Sequence, residues 1–148
     1  MQKFVLYTLI VLLLFLHTPQ NSLAFDFDGV YTFYTTSQPT DKNIDFLKNG
    51  SIFEVSCDSN VASQTKNKLK NIVGQSVCFD GTMQQFEYVC NKLGKILFEY
   101  EIEQICVAEG FCQSIDGWVI AKNKKINFQV AYDGKQIVVG TPTILSGF

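Results

Sequence analysis

The chain has 148 residues, of which 12 are basic and 14 acidic, giving a net charge of −2. This mildly acidic balance argues against nucleic acid and anionic membrane surfaces as partners. There is no arginine, and the only histidine is His17. Histidine is the usual general base, the usual activator of a nucleophile and the commonest zinc ligand. Its absence after residue 17 predicts a protein with no catalytic residue, no metal site and no cofactor.

The N-terminus is typical of a signal peptide. Lys3 precedes an uninterrupted apolar run from Phe4 to Leu16, and Ser22-Leu23-Ala24 offers the small residues that a signal peptidase reads. The run is shorter than the roughly 20 residues that a membrane span needs. We therefore expect cleavage after Ala24 and no stable membrane anchor afterwards. The product would be secreted or periplasmic, with a single domain at residues 25–148.

The first half of this domain mixes strand and helix signals. The runs Val30 to Thr36 and Ile52 to Ser56 are rich in β-branched and aromatic residues, which predicts two strands. Asp41 to Lys48 is predicted to form a two-turn helix. A second helix is predicted at about residues 60–73, with an apolar stripe on one side and Gly74 just past its end.

From residue 75 onward, short alternating segments are separated by turn residues. The longest pattern, Phe86 to Ile105, predicts one β-hairpin with a buried aromatic face and an acidic solvated face. Asp80-Gly81 and Asp133-Gly134 are typical of tight hairpin turns. The predicted fold class is therefore α+β, mainly β: an antiparallel sheet of hairpins with one helix packed on it. Strands are predicted at 76–79, 83–90, 95–105, 118–121, 125–132 and 136–140.

Three carboxylates alternate along the return strand of that hairpin. Glu99, Glu101 and Glu103 are predicted to share one face, at spacings that a glycosidase or a calcium site could use. We interpret them as a solvated face, with a carboxylate-based hydrolase as a remote alternative.

Five cysteines follow the predicted signal peptide, which in an exported domain predicts disulfides. Cys106 and Cys112 bound a short segment that contains a glycine, and we expect them to pair. Cys57 and Cys78 flank the predicted helix at 60–73 and are expected to form the second bridge. Cys90 would remain as a free thiol on the buried aromatic face, where a cysteine is ordinarily a small hydrophobe.

Two further positions carry weaker signals. Asn49-Gly50-Ser51 matches the N-glycosylation pattern, so Asn49 is a glycosylation site if the protein is eukaryotic, and a turn residue otherwise. Trp118 is the only tryptophan. We interpret it as a core residue rather than a platform for a ligand.

Two resemblances to known families can be read from these motifs. Phe27-Asp28-Gly29-Val30-Tyr31 resembles the opening of lipocalins and fatty-acid-binding proteins, which ranks lower because their arginine anchors have no counterpart here. Asp45 to Gly50, followed by the strand to Cys57, is similar to the opening of VirK-type proteins, and the hairpin patterns at 86–98 and 128–139 are similar to their paired hairpins. That family comprises small signal-bearing bacterial proteins that are associated with virulence and have no established biochemical activity.

The sequence therefore predicts a secreted or periplasmic, non-enzymatic binding or interaction protein. Its partner would be an unidentified protein or a small apolar ligand. An alternative is a carrier that holds a small apolar ligand inside the aromatic face of the sheet.

Overall fold

The computed structural model describes residues 23–145. In this part of the chain 46% of the residues are in strands and 17% in helices, which confirms the predicted α+β, mainly β class. The predicted signal peptide, residues 1–24, lies outside the described residues except for Leu23 and Ala24, which pack against the core. None of the helices within residues 23–145 has the length and apolar character needed to cross a membrane.

Within residues 23–145 the chain forms ten strands and two helices. In chain order these are β1 (Val30–Thr35), β2 (Leu47–Asn49), β3 (Ile52–Asp58), α1 (Ser59–Lys68), β4 (Ile72–Asp80), α2 (Met83–Leu93), β5 (Lys95–Ile102), β6 (Ile105–Phe111), β7 (Val119–Ala121), β8 (Lys124–Ile126), β9 (Phe128–Tyr132) and β10 (Gln136–Thr141). Eight strands form one antiparallel sheet in the order β2-β3-β1-β4-β10-β9-β6-β5, and β7 and β8 form a separate hairpin.

The strand register decides which side chains share a face of the sheet. Tyr31 of β1 lies opposite Cys57 of β3 and Val77 of β4, and directly paired residues point to the same side. We call this side the helix face, because α1 and α2 pack on it. Its buried residues form the core together with Ala62 of α1 and Phe86 of α2. The buried residues that the sheet itself contributes to this core are, from β1 and β3 across to β6, Phe33, Val55, Val77, Val139, Val130 and Ala108.

The other side of the sheet, which we call the hairpin face, is covered by different segments. The β7–β8 hairpin lies over its β5–β6 end, with Lys122 Nζ 4.6 Å from the ring centroid of Tyr100. The C-terminal segment lies over its centre. There Gly74 makes room for Leu145, because a Cβ on Gly74 would come within 2.7 Å of the Leu145 side chain.

The predicted outgoing strand of the central hairpin is wrong, because residues 83–93 form helix α2. Phe86, Val89 and Cys90 are the buried residues of this helix, at the i, i+3, i+4 spacing of one helical face. A capping box starts it: Gln85 N donates to Thr82 Oγ1 over 3.3 Å, and Thr82 N donates to Gln85 Oε1 over 2.9 Å.

The return strand of that hairpin is confirmed, but its partner differs. β5 (Lys95–Ile102) pairs with β6 (Ile105–Phe111) through a turn at Glu103 and Gln104, whose φ angles of 51° and 72° suit a tight hairpin connection. The register shifts between Ile96 and Phe98, as at a β-bulge. The strict alternation predicted for this strand is therefore broken.

The two helices predicted in the first half also need correction. Residues 41–48 do not form a helix: the Asp41 carboxylate accepts a hydrogen bond from Asn43 N over 2.9 Å in a local turn, and Leu47 begins β2. The helix predicted at 60–73 ends at Lys68. Strand β4 begins at Ile72, so the predicted C-terminal glycine of that helix lies within a strand.

The hairpin predicted at the C-terminal end is confirmed. β9 and β10 form the hairpin expected at Asp133-Gly134, with Tyr132 opposite Ile137. The strand predicted at 125–132 is divided at Asn127, between β8 and β9.

The capping box makes the identity of α2 testable. We expect Thr82→Ala to lower the free energy of unfolding by about 1 kcal/mol, since it removes the side-chain acceptor at the helix N-terminus. Thr82→Ser, which keeps the hydroxyl, should restore most of the loss. Urea denaturation measures both changes. Thr40→Ala, at an exposed loop position, is the matched control, and an equal loss there would contradict the assignment.

Candidate ligand-binding surface

The β7–β8 hairpin presents an exposed apolar surface. Its turn residues Lys122 and Asn123 have φ angles of 47° and 64°, typical of a two-residue type I′ connection. Ile126 is buried and holds the hairpin to the sheet. The outer residues Trp118 and Ile120 are 51% and 59% exposed, so Trp118 is not the core residue that the sequence predicted. Large apolar side chains exposed together mark a surface that can bind a partner.

The lysines of this hairpin lie over aromatic rings. Lys125 Nζ is 4.0 Å from the ring centroid of Trp118, and Lys122 Nζ is 4.7 Å from that of Phe98. Lys124 Nζ lies 5.4 Å from the same Phe98 ring. At these distances an ammonium group is attracted to the ring face. The Phe98 ring therefore holds the charges of Lys122 and Lys124, and the Trp118 ring holds that of Lys125.

Within residues 23–145, none of these three ammonium groups forms an ion pair within 4.0 Å of a carboxylate oxygen. By contrast, Lys68 Nζ lies 3.0 Å from Asp41 Oδ2 on another part of the surface. The charges of Lys122, Lys124 and Lys125 therefore remain available to an anion.

A groove of about 720 Å³ opens beside this cluster. We call it the lysine groove. Its cations are Lys95, Lys124 and Lys125, its apolar part comprises Leu97 and Phe111, and none of its lining residues is acidic. Lysine side chains add apolar stems to such a groove while their charged ends stay in water. The groove can therefore accept a ligand with an anionic end and an apolar end.

A buried carboxylate lies beneath the hairpin. Glu109 is 7% exposed, and its Oε1 accepts hydrogen bonds from Tyr100 Oη over 2.7 Å and from Gln129 Nε2 over 2.9 Å. Burial, followed by the hydrogen bond from its hydroxyl to Glu109, raises the pKa of Tyr100. Gln129 Oε1 in turn accepts from Ile144 N over 3.1 Å. This network ties three strands and the C-terminal segment together under the lysine cluster.

Asn127 fixes the segment that leads into Trp118. This side chain is fully buried. Its Oδ1 accepts from Cys112 N over 2.8 Å, and its Nδ2 donates to the carbonyl oxygens of Cys112 and Ile115, each over 2.7 Å. Within the loop from 112 to 117, the backbone hydrogen bond is that from Ile115 N to the carbonyl oxygen of Cys112. The Asn127 amide therefore satisfies buried backbone groups that would otherwise need water.

The predicted disulfide pairs are incompatible with the strand register. Cys57 lies on the helix face opposite Tyr31, whereas Cys78 lies opposite Val30 and points to the hairpin face. Strand β1 lies between β3 and β4, and the two cysteine side chains point to opposite sides of the sheet, so the sulfurs are kept apart.

Cys106 and Cys112 stand at the two ends of β6, about 20 Å apart at 3.3 Å per residue. A disulfide requires a Cα separation of roughly 4.4 to 6.8 Å. All five cysteines are free thiols in the structure.

Cys90 is buried as predicted, although it lies on a helix and not on a strand. Burial, together with the nearby charge of Glu99, raises the pKa of Cys90 to about 12. At neutral pH it is therefore a protonated thiol and a weak nucleophile.

The three alternating glutamates do not form the ladder that the sequence predicted. Glu99 and Glu101 are exposed on the same side of β5, but Glu103 lies in the β5–β6 turn. Among residues 23–145, no three histidine, cysteine or carboxylate side chains are placed to hold a metal ion. Asn49 is exposed at the β2–β3 turn, where its amide donates to Glu54 Oε1 over 3.2 Å.

Comparisons with known proteins give no relative: no protein-family model, curated protein or solved structure matches the chain. The VirK-type relationship therefore stays a prediction.

Sequence reasoning missed the residues of this surface, although two signals were present. Lys122, Lys124 and Lys125 fall within four residues, close to the only tryptophan. Glu109 is the one charged residue in the apolar run from Ile105 to Phe111, which is typical of a buried, hydrogen-bonded carboxylate.

The role of Asn127 can be tested by removing its amide. We expect Asn127→Ala to lower the free energy of unfolding by about 3 kcal/mol, because three backbone groups lose a buried partner. Trp118 fluorescence in the native state should also change, since the preceding loop is released. Asn67→Ala, at an exposed position of α1, is the matched control. A loss at Asn127 no larger than at Asn67 would contradict this role.

Proposed function

We propose that this protein is an exported, non-enzymatic binding protein whose ligand is an anionic amphiphile, and that the ligand binds in the lysine groove. The observation that carries the proposal is the composition of this groove: three lysines, two large apolar residues and no carboxylate. The adjoining hairpin adds the exposed Trp118 and Ile120. Export is supported by the signal-peptide pattern of the first 24 residues.

Charge complementarity selects the ligand class. The net charge of the chain is negative, yet the lysine groove and the hairpin turn bring four lysines to one region. At a separation of about 4 Å, an anion gains about 1 kcal/mol from one exposed charge in water and more where the site is partly dehydrated. Lysine is a compact point charge that binds a carboxylate or a phosphate without the two-point geometry of arginine.

The apolar part of the ligand would lie against Leu97 and Phe111. Burying apolar surface contributes roughly 25 cal/mol per Å², so a chain of several methylene groups adds as much as the charged end. Neither part alone would bind tightly, because each side of the groove is open to solvent. A molecule that combines an anionic end with an apolar chain is therefore favoured over a simple anion and over a neutral hydrocarbon.

Carriage of a ligand inside the aromatic face has less support. On the hairpin face, the rings of Phe98 and Tyr100, which formed the predicted aromatic face, lie under Lys122. On the helix face, Phe33 and Phe128 have no solvent exposure and Tyr31 has 1%. The helices α1 and α2 cover the buried residues of the helix face, and the space left beside α2 is lined by Glu87, Glu99 and Glu101 as well as by apolar side chains. The apolar ligand predicted from sequence is therefore better accommodated at the lysine groove.

Trp118 provides a direct test, because the only tryptophan lies beside the groove. We expect decanoate to change its fluorescence in a saturable way, and decanol and acetate to bind at least tenfold more weakly. The double variant Lys95→Gln/Lys124→Gln should bind decanoate about tenfold more weakly than the unmodified chain, since each exposed charge is worth up to about 1 kcal/mol. Isothermal titration calorimetry should give the same ratio without relying on the reporter.

The matched control is Lys42→Gln/Lys70→Gln, which removes the same charge at exposed positions outside the groove. Its affinity for decanoate should be unchanged. Added salt should weaken decanoate binding by screening the lysines, while binding of decanol should not fall. Equal affinities for decanoate and decanol, or equal losses in the two double variants, would overturn the proposal.

A further inference from the structure

A second groove, separate from the lysine groove, lies between α2 and the β5–β6 edge of the helix face. It has a volume of about 430 Å³, and both Cys90 and Cys106 line it. Met83 and Phe86 supply its apolar part, and Glu99 is among the acidic residues at its rim. Two of the five cysteines therefore line one groove.

The packing of α2 explains why the two thiols share this space. The Phe86 ring lies 6.2 Å from the Tyr132 ring, centroid to centroid, which seats the helix on β9. Tyr132 is the register partner of Cys106 on β6, so Cys106 points to the helix face directly beside this contact. Cys90 follows Phe86 by one helical turn on the same side of α2.

The remaining cysteines have other surroundings. Cys78 points to the opposite side of the sheet, and Cys57 lies on β3, beyond β1. Cys112 follows the far end of β6, where its Sγ lies 3.0 Å from Ser114 Oγ.

We propose that Cys90 and Cys106 form a disulfide under oxidising conditions, and that this bond fastens α2 to the sheet. Its formation removes two protons and two electrons from the thiols, and a low-molecular-weight disulfide such as oxidised glutathione accepts them. Cys106 first attacks the oxidant, forming a mixed disulfide and releasing one glutathione thiol. Cys90 then attacks the Cys106 sulfur, closing the protein disulfide and releasing the second glutathione thiol.

The order of the two steps follows from exposure. Cys106 is half-buried at the groove, whereas Cys90 is buried and its pKa is raised to about 12. The accessible thiol therefore meets the oxidant, and the buried thiol reacts once the mixed disulfide has brought an electrophilic sulfur next to it.

Peptide mapping of the oxidised protein tests the pairing. After free thiols are blocked with N-ethylmaleimide, cleavage at aspartate and glutamate places the cysteines in separate fragments: 55–58, 59–80, 88–99, 104–109 and 110–116. Fragment 88–99, which contains Cys90, should be joined to 104–109, which contains Cys106. A blocked Cys90, or a link from 88–99 to any other fragment, would overturn the proposal.

Thermal unfolding gives an independent measurement. The bond closes a loop of about 15 residues, so oxidation should raise Tm by about 10 °C, and reduction should reverse the change. Cys106→Ser should abolish this difference, whereas the matched variant Cys112→Ser should retain it. If Cys106→Ser fails to fold, the fragment map of the unmodified chain still decides the matter. Retention of the difference in Cys106→Ser, or its absence in the unmodified chain, would count against the bond.

Discussion

The pairing of β4 with β10 is the interaction on which the rest of the structure depends. It joins β2, β3, β1 and β4 to β10, β9, β6 and β5, two groups that would otherwise be separate four-stranded sheets. Its six residue pairs, from Gln136 opposite Asp80 to Thr141 opposite Gln75, also fix which side chains of each group share a face. A shift of one residue here would send the core side chains of one group to the opposite side. The helix face and the hairpin face exist because this register is continuous.

The candidate binding surface follows from that arrangement. β5 is the edge strand of the second group, and the β7–β8 hairpin lies over the hairpin face beside it. This brings Lys95, at the start of β5, next to Lys124 and Lys125, although the sequence separates them by almost 30 residues. The negative net charge is a property of the whole chain and did not predict this local concentration of positive charge. A ligand responds to the local field, which is strongest where unpaired charges lie close together.

The sequence predicted the fold class, most strands and the final hairpin, because these depend on local alternation and on turn chemistry. The sequence-based prediction is wrong for α2, because Phe86, Tyr88 and Cys90 fit the alternation of a strand as well as a helix. Val89 and the capping box at Thr82 favour the helix, in which Val89 is buried and Tyr88 is 63% exposed. That error removed the predicted partner of β5 and therefore misplaced Cys90.

The disulfide prediction and the binding surface were limited by a different cause. Both depend on which distant segments the sheet brings together, and local patterns carry no information about that. The run from Cys106 to Cys112 contains a glycine and could be a loop, but as β6 it is extended and separates its ends. The sequence also does not reveal that Trp118 is exposed. The β7–β8 hairpin lies on a sheet with its outer side in solvent, and no local pattern distinguishes such a hairpin from one that is buried on both sides.

The most direct test of the lysine groove as a binding site is to map the ligand onto the backbone. In a two-dimensional ¹H–¹⁵N NMR titration with decanoate, we expect the largest shift changes at Lys95, Leu97, Phe111 and Lys124 and at the indole N–H of Trp118. Amides on the helix face, such as Val77 and Val139, should not move. Changes centred on the helix face, or spread evenly over the chain, would contradict the account.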